Sequence, residues 1–84
     1  MANRNKKEEK KMLYLQGGLE IKKVRMGLLL QQDEFGQKLG TKAGTVCHWE
    51  QGRHRASLKY LRKIDKLAKE NKIEFDVEKC IDKV

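Results

Sequence analysis

Apolar residues recur along this chain in short amphipathic bursts punctuated by glycine. Leu19, Ile21, Val24 and Leu28 share one stripe, with Lys22, Lys23 and Arg25 outside it or at its rim, and predict a first helix from about 19 to 27. After a short connection over 28–31, Phe35 and Leu39 stand four apart. They predict a second helix over 32–39, with Gly40 as its left-handed stop. Val46 and Trp49 point inward from a third helix over 43–50, ended by Gly52. Ser57 is a good N-cap for a fourth helix over 58–71, whose stripe is Leu58, Leu61, Ile64, Leu67 and Ala68. The remainder reads two ways. Val77, Cys80, Ile81 and Val84 recur as in a helix, which favours a short one over 76–83 capped by Asp76. Ile73, Phe75 and Val77 alternate as in a strand over 72–77 that would pair in a dimer. Ahead of all this, residues 1–18 are mostly polar, and Gly17-Gly18 is expected to break any helix there. The division expected is thus a flexible or loosely helical basic arm, 1–18, and a domain with a C-terminal extension, 19–84.

Composition narrows the function. Eighty-four residues without a proline suit one small all-α domain, a bundle of four to five helices. No apolar run approaches the roughly 20 residues of a membrane span. The Lys-rich start lacks the apolar stretch of a secretory leader, so a cytoplasmic location is expected. Cys47 and Cys80 match no zinc or redox spacing and are read as free thiols. The formal charge is +8, and it is unevenly spread. Between residues 53 and 72 eight Lys and Arg face only Asp65 and Glu70, whereas the last twelve residues are net acidic. A solvated helix face usually mixes both signs, so this imbalance points to a polyanionic partner.

Two short helices joined at Gly40, each with an apolar residue inward, have the sequence form of a helix-turn-helix. Reversal within about three residues needs positive φ, which glycine adopts at least cost. Gly36 supplies a small residue where the two helices touch. The stretch from Gln32 to Arg53, with its Phe35-Gly36, Leu39-Gly40 and Trp49-Glu50-Gln51-Gly52 landmarks, resembles without a gap the phage repressor/Cro, or XRE, helix-turn-helix family. Val24-Arg25 resembles that family's apolar-Arg pair in the first helix. The resemblance spans about residues 19–70 and implies a lambda repressor-like fold.

It also implies a division of labour. The third helix would lie in the DNA major groove, with Lys42, Ala43, Gly44, Thr45 and His48 toward base edges. Gln31 and Gln32, at the start of the second helix, would meet phosphate, since a helix N-terminus presents free N–H groups. Arg53, His54 and Arg55 in the following loop, and Lys59, Arg62 and Lys63 on the fourth helix, would neutralise further phosphates. Arg55 has a narrow minor groove as an alternative. Arg25 and Glu50 would form an internal ion pair, and Trp49 would belong to the core. Ala43 and Gly44 depart from the family, where these positions are often polar. They shift weight from direct readout toward flanking contacts and DNA shape.

The function expected is a sequence-specific double-stranded-DNA regulator, a small Cro- or repressor-type protein of a mobile element. It would act as a homodimer on a near-palindromic operator, with Ile73, Phe75, Val77, Ile81 and Val84 as the dimer surface. The alternative is an antitoxin or host-protein inhibitor that uses the same fold to hold a protein. No cofactor, metal or membrane partner is expected. An enzyme is not expected either: His48 and His54 lack supporting residues, and Cys47 and His48, adjacent on a helix, point different ways.

Overall fold

The computed structural model describes residues 6–81, with side chains from residue 9 onward. The expected arm therefore lies outside the described residues over 1–5, as does Val84 of the expected dimer surface. The chain forms α1 (Lys6–Gly27), α2 (Gln32–Leu39), α3 (Ala43–Glu50), α4 (Leu58–Glu70) and a 3-10 turn over Val77–Cys80. No strand occurs among the described residues.

The inward stripes meet in one core of Ile21, Val24, Phe35, Leu39, Val46, Trp49, Ala56, Leu61, Ile64, Ala68 and Cys80. Of the other stripe residues, Leu28 and Leu67 are partly buried against it, while Leu19 is 53% and Leu58 57% exposed. α2 and α3 pack closely on each other, while α1 crosses α3 and the 3-10 turn.

Helix closure follows one rule throughout. Each of the four helices ends on a residue with positive φ: Leu29 (59°), Gly40 (81°), Gly52 (75°) and Lys72 (55°). In each case the next amide reaches back to a carbonyl five residues earlier: Leu30 to Arg25, Thr41 to Gly36, Arg53 to His48 and Ile73 to Ala68. This is the Schellman closure, which satisfies carbonyls that a helix end leaves bare.

The start of α1 corrects the expected break at Gly17-Gly18. The helix runs through both glycines, because what they lack is a side chain that has no room. A Cβ on Gly18 would land on the Trp49 carbonyl, and one on Gly17 would come 2.9 Å from the Lys79 carbonyl oxygen. Here glycine is a close-approach residue: its helix-propensity cost of about 1 kcal/mol is set against backbone-to-backbone packing.

The C-terminal segment folds back onto α1. Asp76 caps the 3-10 turn by accepting from the Glu78 amide at 3.1 Å. The Asp76 amide donates to Glu20 of α1 at 2.9 Å. Cys80 is buried beside Gly17, and burial, with Glu20 nearby, pushes its thiol up to about 11. Ile73, Phe75 and Val77 rest against the core of their own chain. No strand forms over 72–77; Ile73, Phe75 and Val77 stay partly open to solvent, and Ile81 is 36% exposed.

Candidate nucleic-acid interface

α2 starts where the chain turns out of an extended conformation at Gln31. Glu34 reaches back to accept from the Gln31 amide at 2.9 Å, one half of a capping box. At the other end Gly40 allows the tight turn, and a Cβ on Gly36 would come 3.0 Å from the Thr41 carbonyl oxygen. These two glycines fix the angle at which α3 leaves α2.

The inner face of α3 is locked. Val46 and Trp49 are in the core, and Trp49 stacks obliquely on Tyr60 of α4, ring centres 5.3 Å apart. Glu50 is buried and receives two bonds from Arg25, Nε to Oε2 at 2.6 Å and Nη2 to Oε1 at 2.9 Å. Arg25 spends a third donor on the Leu30 carbonyl, so one guanidinium ties together α1, the α1–α2 connection and the end of α3. The bond to Glu50 raises the Arg25 pKa above its ordinary value despite burial.

Gln32 joins the same network. Its side-chain amide donates to Glu50 Oε1 at 3.1 Å. Gln32 is half-buried and shares this carboxylate with Arg25.

The outer face of α3 is partly open. Lys42 and Gly44 are exposed, while Ala43, Thr45 and His48 are half-buried. An added Cβ at Gly44 would meet nothing within 4 Å. His48 lies beside His54, ring centres 5.4 Å apart. The two share a shallow groove of about 300 Å³ with Thr45, Trp49, Arg55, Ser57 and Tyr60. The five residues expected at base edges thus occupy one end and one side of α3, opposite the locked face.

Basic and polar side chains border this surface. Gln31, Arg53, His54, Lys59 and Arg62 are exposed. Lys63 is also exposed, but its ammonium is positioned by a 3.0 Å bond to the Leu39 carbonyl at the end of α2. Lys59 and Lys63 both lie over the Tyr60 ring, at 5.3 and 5.9 Å from its centre. Arg55 is half-buried. Its guanidinium stacks over Tyr14 of α1 at 4.6 Å and donates to the Lys79 carbonyl at 3.3 Å, so it ties the loop to α1 and the C-terminal turn.

An exposed face on a short helix, held at a set angle by its partner and rimmed with positive charge, defines a helix-turn-helix DNA-binding module. The helix-turn-helix family model matches residues 21–70, more than half of the chain. The chain belongs to that family, of the XRE type, and is a DNA-binding transcriptional regulator. No curated protein and no solved structure matches it.

Proposed function

We propose that the protein is a sequence-specific repressor of the Cro or immunity type from a mobile element, with α3 in the major groove of double-stranded DNA. One observation carries this reading: α3 is immobilised on one side by Val46, Trp49 and Glu50, while on the other side Lys42 and Gly44 are exposed and Thr45 and His48 are half-exposed. Lys42 suits a phosphate or a guanine edge, Thr45 a thymine methyl or a phosphate, and His48 a purine edge. Ala43 and Gly44 contribute absence of bulk, so that the helix backbone approaches the bases. Gln31, Arg53, His54, Lys59, Arg62 and Lys63 grip the sugar-phosphate rails on either side. An eight-residue helix spans few base pairs, so a homodimer on two half-sites about 34–36 Å apart supplies the remaining specificity. The bare Ala43-Gly44 pair also supports a second reading, an antitoxin or host-protein inhibitor that grips a protein with this face.

Gly44→Ala separates the two properties of this face. The new methyl meets no protein atom and favours the helix, so thermal or urea unfolding should show a gain of roughly 0.5–1 kcal/mol. DNA selected from a random pool by the native chain should nevertheless bind the variant more weakly. His48→Ala should change the sequence selected, whereas Arg53→Ala should weaken all sequences alike. A native chain that selects no sequence at moderate salt defeats the repressor reading.

A further inference from the structure

α1 carries about four helical turns that precede the family-matched span, and they do not stand apart from the domain. Lys10, Lys11 and Tyr14 of this extension face Gly52 and Arg53 of the loop after α3 across a groove of about 330 Å³. We propose that this groove binds the sugar-phosphate backbone of the DNA flanking the segment met by α3. The inference rests on the DNA reading above and adds to it a contact outside the helix-turn-helix itself.

Backbone packing builds the floor of the groove. Gly52 lies against Leu15, where a Cβ would come 2.9 Å from the Leu15 nitrogen, so α1 and the exit of α3 touch chain to chain. That contact sets Lys10, Lys11 and Arg53 around one opening. All three side chains are exposed, and none of the lining residues is acidic. The Tyr14 ring forms an apolar wall and is held from beneath by the Arg55 guanidinium. Three like charges gathered around a shallow opening repel one another, a cost that a bound polyanion removes.

Position selects DNA as the occupant. Arg53 follows the end of α3 directly, and His54 beside it shares a groove with His48. A duplex lying along the outer face of α3 continues past Gly52 into reach of the extension. Lys10 lies eleven residues before Ile21, which places it roughly 16 Å along the helix axis beyond the start of the matched span.

The test compares the full chain with Lys10→Gln/Lys11→Gln in binding to two duplexes, the pool-selected sequence and a random one of equal length, across a salt series. A second variant, Lys22→Gln/Lys72→Asn, removes the same charge from exposed positions away from the groove. Circular dichroism confirms that all three fold alike. The groove variant should bind both duplexes more weakly, with its slope of log affinity against log salt shallower by about 1–2, and should still select the native sequence. The control should keep nearly the native slope. A groove variant with the native slope, or a control that loses as much, overturns the proposal while leaving the DNA reading intact. A native chain that binds neither duplex overturns both.

Discussion

A single arginine organises the interior polar chemistry of this protein. Arg25 bonds Glu50 twice and the Leu30 carbonyl once, and Glu50 accepts a further bond from Gln32. Burying such a pair contributes modest net stability, but removing one member strands the other without compensation. Arg25→Ala should therefore destabilise the domain by about 3–5 kcal/mol in urea unfolding, enough to threaten folding of so small a chain. The Arg25–Glu50 pairing was legible only through the resemblance, since the residues are 25 apart in sequence. The bond from Gln32 was not legible: its position at a helix start suits a phosphate, and nothing in its spacing reveals the buried carboxylate beside it. The contacts of Arg55 were hidden likewise, because its partners Tyr14 and Lys79 come from opposite ends of the chain.

At the level of elements, the periodic stripes located α2 and α3 to the residue and α4 to within one. The two ends marked by Gly40 and Gly52 were legible because glycine announces positive φ. The equivalent positions at Leu29 and Lys72 were not, since side chains there adopt a conformation that costs roughly 1 kcal/mol. Leu29 is 90% exposed and forfeits no packing when truncated. Leu29→Gly should raise stability by about 0.5–1 kcal/mol, read as a higher urea midpoint with an unchanged slope. The extent of α1 is what the sequence conceals most. Gly17-Gly18 carries the ordinary signature of a helix break, and only the approach of α3 and the C-terminal turn from outside shows why glycine is needed there.

The molecule as a whole is held shut by its C-terminal segment. Glu20 of α1 accepts from the Asp76 amide and pairs with Lys23 at 2.9 Å, with Lys79 at 3.9 Å. Burial alone would raise its pKa, but these partners together hold it below the ordinary 4.5. A carboxyl more acidic in the folded state stabilises fully above its unfolded value, and that contribution disappears as pH falls through the folded one. The native chain should lose stability faster than Glu20→Gln on acidification below pH 4.5, as followed by circular dichroism melts. Equal acid sensitivity in the two proteins would show that this clasp contributes nothing.

Gly18 against Trp49 and Gly52 against Leu15 act as two rivets, and both lie outside positions 42–48. Within that span only Val46 is fully buried. The outward side chains there form an interchangeable cassette. Grafting a different set at Lys42, Ala43, Gly44, Thr45 and His48 should retune which operator is chosen without refitting the frame that presents it.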